Sequence, residues 1–417
     1  MQRPSPWLLL VVLLLGIILL REPRCAKMED AFVAWLLGYS ANNGSAVPLT
    51  VVEIGRDALM DPQRLQAAEA EPPQPGDTGA AISPLEFALF LQSVLDFQPG
   101  VIAFENILKW RERDKDQEQV FLDQAMRVPK LLLASQLGAT DDPDASWAEI
   151  RGFSQVVGKR GELAPFTGIE RRPGEDLRLI STPGFVNLPE GYASSIRVPL
   201  LFLYRGEVIP SFPLQAILLW LRITPAEVKV VLGSHLELPE GRRIPLATDG
   251  TLLIDPSAEK RARRVTLNEL LLAAQQRETA PGEGHVALDL SDQIVLARTP
   301  ANPLSPSDVF AATIATIEGN KYLHRISRLF DCAVLLVIAA ALPWLRRMAR
   351  LDLVLCGIGV TAAYCLVALG TLSRWSLWLP GVLPLGALWI AIVAACFFRA
   401  QTPAVAEAAV APPPPIV

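Results

Sequence analysis

SPLEFALFLQSVLDFQPGVIAF, residues 83–104, holds a helix start, a helix, a turn and a strand in immediate succession. Ser83 can cap the helix, Pro84 suits its first position, and Glu86 completes a capping box. The helix predicted from that start runs to about Phe97. Pro99-Gly100 then turns the chain, and Val101–Phe104 is a short apolar strand. The alternation continues outward in both directions. Leu49–Ile54 (LTVVEI) reads as a buried strand, followed by an acidic, proline-rich loop at Glu69–Gly79. Downstream, Asp116–Arg127 reads as a helix and Leu131–Ser135 as a third strand. Strand, helix, strand, helix, strand predicts parallel pairing through crossovers, the α/β pattern.

The following stretch is less regular. Ile196–Tyr204 reads as a strand and Pro213–Arg222 as a helix apolar on one face. Two more capping boxes stand at Thr224-Pro225-Ala226-Glu227 and Thr266-Leu267-Asn268-Glu269. Between them, Leu236–Pro239 and Thr251–Asp255 are expected strands. Gln293–Ala297 (QIVLA) is the last strand, and a helix over Asp308–Ile317 follows. No internal repeat is visible.

Four apolar segments frame this region: Trp7–Leu20 in front, then Leu329–Leu345, Leu353–Leu372 and Leu377–Phe398. A helix needs about 20 apolar residues, with about 17 as a lower limit, to cross a hydrocarbon core. The three C-terminal segments meet that limit. The first is shorter, but no small-x-small cleavage site follows it, so it reads as an uncleaved signal anchor. Arg346, Arg347 and Arg350 mark the loop after the second span as cytoplasmic, which puts the N-terminus inside and the large domain outside. Trp375 and Trp378 around Arg374 suit an interfacial belt on the outer side. Arg21, Arg24 and Lys27 pull the other way but are outvoted, since long domains translocate largely regardless of charge.

The five cysteines, Cys25, Cys332, Cys356, Cys365 and Cys396, border or lie within spans. The exported region therefore has no disulfide framework and depends on an ordinary apolar core. A net charge of −5 offers no basic patch for nucleic acid. The Ala/Pro-rich tail (AVAEAAVAPPPPIV) reads as disordered or polyproline.

Several stretches, in this order, resemble the type-2 CHASE domain, the cyclase/histidine-kinase-associated sensory extracellular family. They are TVVEIGRDAL (50–59), QPGVIAFENIL (98–108), DQAMRVPKLLLA (123–134), GFVNLPEGYASSIRVPL (184–200), SFPLQAILLWL (211–221), RRIPLATDGTLLID (242–255) and DQIVLARTP (292–300). One leading span, a sensory domain and three closely spaced spans also resemble that family's frame. The departures fall where ligands would be expected. Gly55 and Arg56 stand where the family's first strand usually ends in aspartates, and Phe104-Glu105 replaces Phe-Asp. Pro189-Glu190-Gly191 lies in the region of an expected Asp-x-Asp-Gly turn, and Ala297-Arg298 replaces a glycine-bearing turn. Such proteins usually continue into a cytoplasmic cyclase or kinase. Only Arg399–Val417 follow the last span here, too few residues for either. The resemblance thus implies a sensor whose output domain belongs to another polypeptide.

In open parallel sheets, ligands bind outside the carboxyl ends of the strands. Glu53 and Glu105 sit at two such ends, with Asn106 beside the second. The two carboxylates could bind a cation or cationic ligand, or share a proton. The plainer alternative is that they are solvated or paired with Arg56 or another arginine. Arg197, beside Val198-Pro199-Leu200, could bind an anion or pair with an acid at a turn. His235, His285 and His324 have no metal-ligand spacing. Gly152…Gly158-Lys159 departs from a phosphate-binding loop in spacing, and Arg160 replaces the required Ser or Thr. No GxSxG elbow or HExxH helix occurs, so a non-enzyme without cofactor or metal is expected. Within the spans, Gly359/Ala363 and Gly357/Thr361 offer small-residue faces for helix contact. No mid-membrane charge suggests transport.

The expected fold class is an α/β periplasmic domain with a mainly parallel sheet plus four transmembrane α-helices. The domains are 1–27 (cytoplasmic N-terminus and anchor), 28–328 (sensory), 329–398 (three spans) and 399–417 (tail). The expected function is that of a bacterial inner-membrane sensor for a small ligand or envelope state. It signals through its helices, by way of the Lys321–Leu329 junction, to a separate output protein of kinase or cyclase type. A homodimer would suit such a sensor. The alternative is a structural or assembly protein of the envelope that keeps the scaffold without sensing.

Overall fold

The computed structural model describes residues 18, 23–39, 45–55, 82–110, 115–140, 151–189, 196–239, 241–279, 288–299, 308–345 and 347–397. The Glu69–Gly79 loop, the tail and Trp7–Leu20, apart from Ile18, lie outside them. The chain divides into two compact units: Met1–Ser40 with His324–Val417, beginning with helix α1 (Pro23–Tyr39), and Ala41–Leu323. Met28–Ser40 and His324–Arg328 thus belong with the helical unit.

The Ala41–Leu323 unit is built on one sheet. Its strands are β1 (Leu49–Glu53), β2 (Val101–Phe104), β3 (Leu131–Gly138), β4 (Gly168–Arg171), β5 (Thr182–Phe185), β6 (Arg263–Thr266) and β7 (Ile294–Arg298). The order β6-β1-β7-β2-β3 is parallel throughout, and β5 extends it parallel to β3. β4 alone pairs antiparallel, with Gln136–Gly138 of β3. The expected mainly parallel α/β sheet is present.

Successive strand residues serve opposite layers, as a pleated strand requires. Val52, Ile102, Phe104, Leu131 and Leu133 join a core with α2 (Pro84–Leu95) and α3 (Lys115–Ala125). Leu49, Val51, Ala103, Leu132 and Ala134 join the other, with α4 (Phe212–Leu221). α5 (Leu267–Thr279) packs in the first layer and α6 (Val309–Glu318) in the second. Phe104 is the hub of the first core, in edge-on contact with Phe87, Phe90 and Phe121. The Ser83 hydroxyl accepts from Leu85 N at 3.2 Å, the cap that the sequence places at the start of α2.

One expectation needs correction. Ile196–Tyr204 is not one strand: Arg197–Pro199 pairs with Thr251–Leu253, whereas Leu201–Tyr204 pairs with Glu207–Pro210. The chain changes sheets at Leu200, where Leu200 N and Leu201 N both donate to Gly250 O. The expected capping box at Thr224 forms and introduces the single 3₁₀ turn Pro225–Glu227. Its counterpart at Thr266 and Glu269 does introduce α5.

The other unit contains α1 and the helices α7 (Arg328–Leu345), α8 (Arg350–Trp375) and α9 (Val382–Phe397). Among the described residues, α8 alone is long and apolar enough to cross a membrane; Leu329–Leu345 and Val382–Cys396 are shorter apolar helices. The segment expected as a continuous span over Leu377–Phe398 begins differently. Leu377–Trp378 forms a strand pair with His324–Arg325, and helix resumes only after Pro380-Gly381. Gly357 packs against Ile392 so closely that a Cβ would lie 2.4 Å from its Cδ1, and Trp389 Nε1 donates to Thr361 Oγ1 at 3.2 Å. The Gly357/Thr361 face therefore makes a contact within the chain, whereas nothing lies within 4 Å of a Cβ built at Gly359.

Candidate functional site

Four parallel strands end side by side in the order β6, β1, β7, β2, and their last residues bring charge together. Glu53 closes β1 opposite Thr266 and Arg298. Glu105 follows β2 and is fully buried. Between these acids stand two arginines and a third carboxylate. Arg264 lies 3.2 Å from Glu53 and 3.4 Å from Glu259, and it also pairs with Asp308. Arg298 lies 3.5 Å from Glu105 through Nε and pairs with Asp308 through Nη1. Asp308 is the residue before α6, and its left-handed backbone (φ 52°) is one that aspartate tolerates better than most residues.

Asn106 completes the row. Its amide donates to Thr299 Oγ1 at 2.7 Å, tying the end of β2 to the end of β7, while its buried Oδ1 has no hydrogen-bond partner among the described residues. Glu53, Glu105 and Asn106 thus belong to one strand-end site. Arg197 does not join them; it stands opposite Leu253 in a separate two-stranded sheet. The arrangement interleaves acids with arginines instead of presenting two bare carboxylates. A ligand acting here would exchange ion-pair partners. Among the described residues, no group of three or more His, Cys, Asp or Glu is placed to hold a metal ion.

Sequence reasoning found the acids because they follow readable strands. It missed Arg264 and Arg298 as their partners, and Glu259 and Asp308 as the acids that share those arginines. Arg264 and Glu53 are 211 residues apart, and no local pattern announces that pairing. Arg298 did carry a signal, as the residue replacing an expected glycine-bearing turn.

A second polar site, also missed, lies in the helical unit. Glu29 of α1 is buried and accepts from Gly381 N at 2.6 Å, Val382 N at 2.9 Å and Trp378 Nε1 at 3.3 Å. The carboxylate sits at the N-terminus of α9, where exposed backbone N–H groups favour negative charge. Burial nevertheless pushes the Glu29 carboxyl above its ordinary value, outweighing these hydrogen bonds and the nearby Arg325. Arg325 also stacks over the Trp378 ring and pairs at 3.1 Å with Asp331, a fully buried acid in the first turn of α7. One cluster therefore joins α1, the start of α7, the Leu377–Trp378 strand that follows α8 and the start of α9.

No protein-family model, curated protein or solved structure matches this chain.

Proposed function

We propose that the chain is a bacterial inner-membrane sensor, with its α/β unit in the periplasm. It detects a small ligand or envelope state and signals to a separate output protein of kinase or cyclase type. The resemblance to type-2 CHASE sensors motivates this reading, in which the protein is not an enzyme and passes the membrane four times. The observation that carries it is the cluster around Glu29, Arg325, Trp378 and Asp331. The chain leaves the α/β unit at Leu323 and at once forms the His324–Arg325 pairing with Leu377–Trp378. A shift of that junction is felt at the starts of α7 and α9 together. The strand-end site supplies two arrangements for a ligand to select between, since an ion competing for Arg264 or Arg298 releases Glu53 or Glu105. A ligand moves such an equilibrium only by its differential affinity for the two arrangements.

The ion pairing of Glu53 and Glu105 favours one alternative, an envelope scaffold that has lost sensing. Affinity purification of the tagged protein from native membranes separates the two readings. A stoichiometric kinase, cyclase or other regulator among its companions supports the sensor. Recovery of envelope-assembly proteins alone would sink it.

A further inference from the structure

A cavity of about 330 Å³ opens at the edge of the sheet, between β5 and α4. That volume lies at the small end of the roughly 300–1,000 Å³ typical of ligand pockets. Pro183, Phe185, Leu219 and Ile223 give it apolar walls, and Arg151 is the one charged residue among its described lining groups. The described lining of the cavity shares no residue with the strand-end site.

Two polar side chains here have no partner among the described residues. α4 reads FPLQAILLWL, so Gln215 is the one polar side chain in an otherwise aliphatic and aromatic helix. Gln215 and Leu219 are one turn apart and both line the cavity. Gln215 retains 8% exposure, and no described residue hydrogen-bonds its carboxamide. Arg151 is exposed at the cavity mouth and has no ion-pair partner among the described residues. The carboxamide of Gln215, lining the cavity, can donate to and accept from a polar atom held there.

We propose that this cavity binds a small carboxylate with an apolar body. The guanidinium of Arg151 takes the carboxylate, which its planar fork fits. Gln215 bonds a polar atom of the same ligand, and Phe185, Leu219 and Ile223 receive the apolar part. A cation is disfavoured because no acid lines the cavity among the described residues.

The test is calorimetric titration and thermal unfolding of the full chain in detergent, with phenylacetate and hexanoate as carboxylates and phenylacetamide as the neutral control. Both acids are expected to bind saturably and raise the melting temperature, with phenylacetamide weaker than phenylacetate. Arg151→Gln should weaken phenylacetate by about tenfold or more, as loss of a charge-assisted contact does, and remove the preference over the amide. Gln215→Met should weaken binding while leaving the ligand-free melting temperature unchanged or higher, which shows that the variant folds. Absence of saturable binding of either acid at millimolar concentration overturns the proposal. So does undiminished binding by both variants, or equal affinity of the wild type for acid and amide.

Discussion

In the α/β unit, apolar side chains face inward: the strands bury valine, leucine and isoleucine on both faces of the sheet, and charge gathers at the strand ends. In the helical unit, Leu329, Val337, Leu351, Leu355, Val360 and Leu366 face outward, whereas Glu29 and Asp331 are buried. One pattern suits water as the surroundings and the other suits hydrocarbon. The contrast assigns the two units different sources of stability. The first rests on area removed from water. In the proposed membrane setting the second would lack such a driving force between helices and depend on close packing and polar ties.

Substitutions that break one unit should therefore differ in kind from those that break the other. The largest effect is expected for Phe104→Ala at the aromatic hub, about 3–5 kcal/mol against the α/β unit, measured by denaturant unfolding. Arg298→Met comes next, at about 3 kcal/mol, because it removes the positive charge 3.5 Å from buried Glu105. Adding Glu105→Gln should recover part of that loss, and a double-mutant cycle reads the coupling directly. A simple sum of the two single effects would show that the pair does not act as a unit.

In the helical unit, Glu29→Ala strands donors at the head of α9 and should cost about 1–3 kcal/mol, read as faster proteolysis between α8 and α9. Glu29 also gives this unit a pH dependence. Its folded pKa is raised above 4.5, so the folded form holds the proton more tightly than the unfolded form does. The stability from that preference is complete below the ordinary carboxylate value and is lost as pH rises through the elevated one. Glu29→Gln should flatten that part of the stability profile; an unchanged slope would assign it to another group.

Legibility differs between the regions for the same physical reasons. Strands such as Val101–Phe104 and the onset at Ser83-Pro84 were readable because their signals are local: an apolar run, a cap, a proline at the first turn. Arg263–Thr266 and Gln155–Val157 were not, being short and carrying exposed charged or polar residues that only tertiary pairing makes into strands. Ile196–Tyr204 looked continuous because the change of partner at Leu200 depends on Gly250, fifty residues later. Glu53 and Glu105 could be placed at strand ends, but the arginines between them could not. Glu29 gave no sign, since its donors lie on Trp378, Gly381 and Val382, some 350 positions away. Gln215 was the reverse: a lone polar residue in an apolar helix, visible in the sequence and meaningful only beside a cavity.

The assignment of one unit to lipid and the other to periplasmic water is tested most directly by protease protection on spheroplasts carrying the chain with an epitope at its C-terminus. The account predicts that external protease degrades Ala41–Leu323 while a fragment containing α7–α9 and the epitope survives until the membrane is lysed. Protection of Ala41–Leu323 in intact spheroplasts, or loss of the epitope before lysis, would contradict it.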